Sequence, residues 1–251
     1  MRFVGGLIAL LLAACAAGEA PAAPEAPAPQ VVTEAPPAEV TPQPSQPAVP
    51  TNLSLNCAGA FTQGGVVLCR TLPGAALTID GAEAGAADGD GWAVIGFTRE
   101  HGTNARVQAS AQGATTAQTY AIAPRAFDIQ RVDGLPPQTV TPTDPAVIAR
   151  IQREAVLKRV GWDSFAPIQG WLDGFIRPVE GGRVSGTWGN QRVLNGVPAS
   201  PHFGYDIAVP AGTPIRAPAG GVITLAQPDM HYEGGLVFID HGQGLITMYL
   251  H

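Results

Sequence analysis

The stretch HFGYD places a histidine, His202, four residues before an aspartate, Asp206. Imidazole and carboxylate are both zinc ligands, with bond lengths of about 2.0–2.2 Å. In an extended strand, however, residues four apart are separated by about 13 Å. Both side chains can reach one metal only if the chain bends between them, and Gly204 permits such a bend because glycine accepts backbone angles that others resist. Spacing alone still favours a chance pair over a metal site.

The residues around this pair change that interpretation. The runs HFGYDIAVPAGTPIRAPAGGVITLA and GGLVFIDHGQGLITMYLH resemble the lysostaphin-type (LytM-like) zinc metallopeptidases, bacterial endopeptidases that cut the peptides of peptidoglycan. The resemblance covers residues 175–251. It implies a Zn²⁺ ion bound by His202 and Asp206. It also implies a catalytic role beside the metal for His251, which ends a Y-x-H pattern that begins at Tyr249.

The sequence departs from the family in one respect. The family takes its third zinc ligand and a second catalytic histidine from a later H-x-H motif, and this sequence contains none. A catalytic zinc site normally has three protein ligands and one open position. Two expectations therefore stay open: the native polypeptide continues past His251 and the C-terminal part of the peptidase domain is missing here, or the chain is a metal-deficient relative.

These two expectations imply different functions. A complete site predicts a zinc metalloendopeptidase that hydrolyses peptide bonds in cell-wall stems or cross-links. A metal-deficient relative predicts a non-catalytic adaptor that binds or activates a cell-wall hydrolase, for example an amidase. The adaptor would use the same groove, without bound zinc, to bind a partner hydrolase or a wall peptide. A structural envelope lipoprotein is a third expectation, which leaves the C-terminal motifs unexplained.

Two further histidines lie in the C-terminal part. His241 is part of the run DHGQG, where Gly242 and Gly244 permit a tight hairpin turn, so we expect it to be structural or solvated. His231 is expected on a loop near the rim of the site and receives no role.

The N-terminus predicts export and lipid attachment. Arg2 precedes the apolar run GGLIALLLAA, which is too short to span a bilayer and suits the core of a signal peptide. The junction LAAC resembles a bacterial lipobox, so residues 1–15 are interpreted as a lipoprotein signal with Cys15 as the acylated residue. An ordinary signal with an incidental cysteine is the alternative. Ala16 is not an aspartate retention signal, which favours the outer membrane, facing the periplasm.

Cysteine usage agrees with export. With Cys15 set aside, Cys57 and Cys69 remain, and an oxidising compartment favours a disulfide between them. In the chain-entropy model, closing such a short loop would raise the free energy of unfolding by about 2–3 kcal/mol. Two reduced, buried cysteines are the alternative.

Residues 16–50 predict a tether between the membrane and the folded part. They contain ten prolines, ten alanines and no basic residue. Such a segment cannot bury a core and favours extended polyproline II, with a limiting reach on the order of 100 Å.

The remaining chain is predicted to be mainly β. Only 14% of residues are charged, Gly and Pro together number 55, and the net charge of −6 argues against nucleic acid as a partner. We expect an immunoglobulin-like sandwich over residues 51–135, a helical connector over 136–174 and a partial antiparallel peptidase domain of the LytM type over 175–251.

The connector contains one predicted helix over residues 144–160. Asp144 is the expected N-cap and Gly161 the expected stop. An apolar stripe of Ile148, Ile151 and Ala155 predicts the face that packs between domains.

Overall fold

The computed structural model describes residues 51–251. The predicted signal segment, the lipid attachment at Cys15 and the tether over residues 16–50 therefore lie outside the described residues. Within the described range the fold is mainly β, as predicted, with one long helix. No helix in that range is both long enough and apolar enough to cross a bilayer.

Seven strands after residue 51 form two sheets that pack face to face. Their bounds are Asn56–Gly59 (β1), Val66–Arg70 (β2), Ala76–Ile79 (β3), Ala82–Ala86 (β4), Trp92–Gly96 (β5), Asn104–Ala111 (β6) and Ala114–Ala121 (β7). One sheet has the order β1–β2–β5 and the other β4–β3–β6–β7, all antiparallel. This arrangement is the predicted immunoglobulin-like sandwich.

The core of the sandwich follows from alternation along its strands. In β6, Ala105, Val107 and Ala109 are fully buried while the residues between them face outward. They meet Val67 and Ile95 from the opposite sheet in one hydrophobic cluster. Side chains of successive strand residues point to opposite faces, so a period of two is sufficient to build this core.

The structure joins Cys57 and Cys69 in a disulfide. The two residues lie directly opposite each other in the antiparallel register of β1 and β2. Cys69 is fully buried in the sandwich core, and Cys57 packs at its margin.

A strand that leaves the sandwich pairs with the C-terminal half of the chain. Ile129–Val132 (β8) runs parallel to Gln191–Leu194 (β10), which also pairs with Val197–Pro198 (β11). A parallel pair needs a long crossover between its two strands. Here about sixty residues of intervening chain provide that crossover. Asn195 extends the connection through side-chain hydrogen bonds to the backbone of Leu135.

Two helices follow β8, the short Pro137–Val140 (α1) and the long Pro145–Trp162 (α2). Asp144 caps α2 as predicted, and its carboxylate accepts a 2.8 Å hydrogen bond from the amide of Ala146. The prediction that Gly161 stops the helix is wrong, because α2 continues through it. A Cβ at Gly161 would lie 3.1 Å from the Phe238 ring, so this glycine allows helix and sheet to approach closely.

The predicted packing face of α2 is also incorrect. Ile148 and Ala155 are exposed, whereas Glu154 and Gly161 are the buried residues of the helix. Polar contacts hold this face: Glu154 accepts hydrogen bonds from Arg150 and from the His231 amide. A buried carboxylate with satisfied hydrogen bonds is tolerated at a packed face, which hydrophobic periodicity cannot indicate.

The helix covers one face of an antiparallel sheet. Its strands are Val222–Met230 (β13), Gly234–Asp240 (β14) and Ile246–Leu250 (β15), in that order. Phe238 is buried beneath the helix, with Trp162 packed edge-on against its ring at 4.8 Å between centroids. The remaining two strands, Arg183–Gly186 (β9) and Asp206–Ala208 (β12), pair in antiparallel fashion. The first residue of β12 is Asp206, the predicted zinc ligand.

Candidate metal centre

The structure brings His202 and Asp206 together. His202 lies in the loop before β12 and is 7% exposed, and Asp206 is the first residue of that strand. The His202 Nε2 and Asp206 Oδ1 atoms are 3.1 Å apart, far closer than an extended chain would allow. The chain therefore bends between them.

Gly204 permits this arrangement for a different reason from the one expected. Its φ lies outside the left-handed region, so no special backbone angle is required. A Cβ at this position would lie 3.0 Å from His202 Nε2. The glycine therefore leaves space in front of the ring nitrogen.

Hydrogen bonds on the other side of the ring fix its orientation. The Nδ1 atom of His202 is 3.2 Å from the carbonyl oxygen of Thr187. The backbone of His202 is bonded in both directions, since its amide donates to the Asn190 carbonyl and its carbonyl accepts from the Gly189 amide. A carbonyl can only accept, so we assign the Nδ1–H tautomer and leave the lone pair of Nε2 facing Asp206.

This pair suits a cation. The Nε2 lone pair and the carboxylate oxygen both point into the space between them, where a proton taken up by Nε2 or a bound cation satisfies both atoms. Two atoms bound to one tetrahedral zinc at 2.0–2.1 Å would be about 3.3–3.4 Å apart, close to the observed separation. A backbone carbonyl on the second nitrogen is also the usual partner of a metal-binding histidine.

Gly186 on β9 provides room for the pair. A Cβ there would approach Asp206 Oδ2 to 2.3 Å and His202 Cε1 to 2.9 Å. Any larger residue would therefore displace the carboxylate or the ring. The set is nevertheless incomplete: between residues 51 and 251, no three His, Cys, Asp or Glu side chains are grouped to hold a metal.

His251 and Tyr249 lie at the end of β15. The His251 amide donates to the carbonyls of Glu233 and Gly235, and its side chain is exposed. The Tyr249 hydroxyl donates to Thr247 Oγ1 at 3.0 Å, and burial raises the pKa of this phenol more than that hydrogen bond lowers it. His251 is not brought into a three-ligand group with His202 and Asp206 within the described residues.

Comparison with known proteins identifies this part of the chain. Residues 200–251, which contain His202, Asp206 and His251, match Peptidase family M23. We call residues 200–251 the M23 segment because of this match. The predicted resemblance to the lysostaphin-type peptidases is thereby confirmed for the residues that carry the site.

Named relatives match the chain over a similarly short stretch. The chain is similar to the DD-carboxypeptidase/endopeptidase Mpg of Neisseria meningitidis serogroup B, with 48% identity over 50 residues, 20% of this chain and 11% of that protein. It is also similar to the peptidoglycan DD-endopeptidase ShyA of Vibrio cholerae serotype O1, with 40% identity over 52 residues, 21% and 12% of the two chains. The matches thus span about a tenth of each relative.

A solved structure matches over a longer range. A Pseudomonas aeruginosa protein, determined as a candidate M23 peptidase, superposes with a TM-score of 0.53 and 26% identity. The match covers 76% of this chain and 73% of that one. The likeness therefore extends well beyond the M23 segment.

His241 of the M23 segment has a structural role. It is fully buried, with Nδ1 2.5 Å from the Gly220 carbonyl and Nε2 2.8 Å from Thr247 Oγ1. Of the two expectations for this residue, burial supports the structural one and contradicts the solvated one. Both ring nitrogens are engaged, so His241 does not offer a free ligand atom.

Sequence reasoning missed the buried carboxylate of Asp240. It is fully buried and accepts hydrogen bonds from Ser164 Oγ at 2.6 Å, the Ala166 amide at 2.6 Å and the Gly242 amide at 2.8 Å. The last bond forms a local Asx turn, and the pattern D-x-G could have indicated it. The other two bonds tie the segment after α2 to the end of β14.

Proposed function

We propose that this protein is a zinc-dependent endopeptidase that hydrolyses peptide bonds of peptidoglycan. The observation that carries the proposal is the convergence of His202 Nε2 and Asp206 Oδ1 at 3.1 Å inside the M23 segment. The printed names of the similar Neisseria and Vibrio proteins support the class of reaction and, for the Vibrio protein, the peptidoglycan substrate.

The roles in the reaction follow from the side chains. His202 and Asp206 would hold two positions of the metal, and the Thr187 carbonyl against Nδ1 would keep Nε2 directed toward it. Zinc bound there would polarise the scissile carbonyl and lower the pKa of water to near neutrality. We assign to His251 a hydrogen bond to the attacking water or to the developing oxyanion, a role that imidazole can fill near neutral pH.

Ligand variants test this proposal. His202→Gln and Asp206→Asn should each reduce the release of peptides from purified peptidoglycan by more than about 100-fold, because each removes a ligand bonded directly to the metal. Released fragments are measured by liquid chromatography and mass spectrometry, together with the zinc content of each protein. His231→Gln is the matched control, since the described contacts of its ring are with Tyr232. Unchanged release by His202→Gln would refute the proposal.

A non-catalytic adaptor is the second candidate. It is favoured by the incomplete ligand set within residues 51–251. An adaptor would stimulate a cell-wall amidase and would do so equally well with His202→Gln. Amidase activity on peptidoglycan, measured with and without the wild-type protein and this variant, separates the two candidates.

We further propose that the mature protein is lipid-anchored through Cys15 in the outer membrane, facing the periplasm. The lipobox-like LAAC and the proline- and alanine-rich residues 16–50 support this proposal. Multiple acyl chains on one residue give a stable anchor where one chain would be marginal. Cys15→Ser should move the protein from the membrane pellet to the soluble fraction. Retention of that variant in the outer-membrane fraction would overturn the proposal.

A further inference from the structure

The loop that supports His202 is held by the sandwich. We call residues 187–190, between β9 and β10, the support loop. Its residues give His202 three hydrogen bonds: the Thr187 carbonyl faces Nδ1, the Gly189 amide donates to the His202 carbonyl at 2.7 Å, and the Asn190 carbonyl accepts from the His202 amide at 2.8 Å. The position of the ring therefore depends on the position of this loop.

One residue of the sandwich is bonded directly to the support loop. The Arg99 Nε atom donates to the carbonyl of Gly189 at 2.5 Å. Gly189 thus joins Arg99 to His202, with its carbonyl bonded to the first and its amide to the second. The Arg99 side chain is 14% exposed, so water competes little for this hydrogen bond.

Aromatic packing fixes the same loop from a second direction. The Phe127 ring lies under the Arg99 guanidinium at 4.3 Å and meets the Trp188 ring edge-on at 5.8 Å. A Cβ at Gly189 would lie 2.2 Å from the Phe127 ring, and one at Gly64 would lie 2.1 Å from the Trp188 ring. The Phe127 ring therefore packs directly against the backbone of Gly189, and the Trp188 ring packs directly against the backbone of Gly64.

We infer that the β-sandwich positions the metal-binding histidine, with Arg99 as the positioning residue that acts through Gly189. The inference rests on the proposed zinc function and adds to it a role for the sandwich. The described contacts of Arg99 are with Gly189, Glu100 and Phe127, and none is with His202 or Asp206. Its contribution is to keep the support loop where the Thr187 carbonyl faces His202 Nδ1.

The test uses Arg99→Ala, Arg99→Lys and a matched control, Gln169→Ala. Gln169 also bonds the sandwich, through Asp88 and Asp90, and no described hydrogen bond joins it to the support loop. The first readout is the imidazole ¹⁵N spectrum of the metal-free protein, with the His202 signals identified by their loss in His202→Gln. The second is zinc affinity, measured by competition with a chromophoric chelator.

Wild type and Gln169→Ala should show the same His202 imidazole ¹⁵N signals. Arg99→Ala should shift those signals, because the Thr187 carbonyl no longer stays against Nδ1, and should show an about 10-fold weaker zinc affinity, the size of effect typical for residues behind a metal ligand. Arg99→Lys keeps the charge but not the flat guanidinium, so it should change both readouts in the same direction by less. This variant keeps the test decisive if Arg99→Ala does not fold.

The outcomes separate the inference from the proposed function. If the Arg99 variants leave the His202 spectrum unchanged, the positioning role is refuted, whatever the zinc affinity. If Gln169→Ala changes the spectrum as much as Arg99→Ala, the effect is general to the interface and the inference fails. If the wild type binds no zinc but Arg99→Ala still shifts the His202 signals, the positioning role stands and the proposed enzyme function fails.

Discussion

His202 and Asp206 require empty space around them as much as they require each other. Gly186 and Gly204 both lie where a Cβ would meet the pair, at 2.3 Å from Asp206 Oδ2 and 3.0 Å from His202 Nε2 respectively. Neither glycine adopts a left-handed backbone, so space is the property that makes them necessary. Substituting either glycine would therefore change the space around the pair while His202 and Asp206, the two proposed zinc ligands, stay in place.

Gly186→Ala is expected to weaken zinc binding by at least about 10-fold while the protein stays folded. The added methyl group must push the Asp206 carboxylate away from His202, because Oδ2 is the nearest atom. Zinc affinity and the thermal unfolding midpoint are measured together. Gly96→Ala is the matched control, since a Cβ there meets nothing within 4 Å. Equal zinc affinity for Gly186→Ala and the control would contradict the steric account.

The proximity of His202 and Asp206 could be predicted from the sequence because their motif is local. His202, Asp206 and the glycine between them occupy five consecutive residues, and the bend follows from their required separation. The residues that hold them could not be predicted. Arg99 and Gly189 are ninety positions apart, and no local pattern marks an arginine that bonds a distant carbonyl.

At the scale of elements, α2 is held to its sheet by polar contacts as well as by packing. Glu154 accepts hydrogen bonds from Arg150 at 2.6 Å and from the His231 amide at 2.8 Å. Lys158, one turn further along, forms an ion pair with Glu233 at the β13–β14 turn. The helix therefore fixes the turn at one end of the sheet that carries His251.

Glu154 should make the stability of the protein depend on pH. Burial raises the pKa of this carboxyl, but the hydrogen bonds from Arg150 and the His231 amide together hold the pKa below its ordinary value of 4.5. A carboxyl with a lowered pKa stabilises the fold above its ordinary value, and this stabilisation is lost as the pH falls through the folded-state pKa.

Compared with wild type, Glu154→Gln should therefore lower the free energy of unfolding by roughly 1.5–3 kcal/mol at neutral pH. The difference should shrink as the pH falls below 4.5. Urea unfolding over a pH series measures it, and Glu83→Gln on the exposed face of β4 is the control. A difference that stays constant across the acid range would show that ionisation of Glu154 has no part in it.

The start of α2 was predictable and its packing was not. Asp144 and Pro145 identify the first turn through local chemistry, since the cap bonds to an amide two residues away. Gly161 was misread as a stop because its role depends on Phe238, 77 positions later in the chain. The prediction that the Ile148 stripe packs inward was wrong, because α2 instead buries the face that carries Glu154. Glu154 is paired with Arg150, and hydrophobic periodicity does not detect ion pairs.

At the scale of the whole molecule, the described residues belong to one compact unit. Besides Arg99 and Gly189, Trp92 of the sandwich packs edge-on against Trp171 at 5.4 Å between centroids. Gln169 donates to two aspartates in the turn before β5. These contacts predict that the sandwich and the part of the chain after residue 168 unfold together.

Reduction of the Cys57–Cys69 disulfide should lower the free energy of unfolding by about 3 kcal/mol, because the bond closes a short loop in the unfolded chain. The separation is 12 residues. Denaturant unfolding of the oxidised protein is compared with that of the protein kept in reductant. Tryptophan fluorescence includes the signals of Trp92 and Trp171, which lie on opposite sides of the interface. It should report one unfolding transition for the oxidised protein and one for the reduced protein. Two separate transitions would contradict joint unfolding.

The parallel pairing of β8 with β10 limits how this protein could have been assembled by recombination. A gene fusion that joined the M23 segment to a different leading domain at residue 135 would remove Ile129–Val132 and leave β10 without its parallel neighbour. The support loop, which immediately precedes β10, would also lose Arg99 and Phe127. The sandwich and the M23 segment are therefore expected to be inherited as a pair, and a fragment chosen for expression should begin before β1.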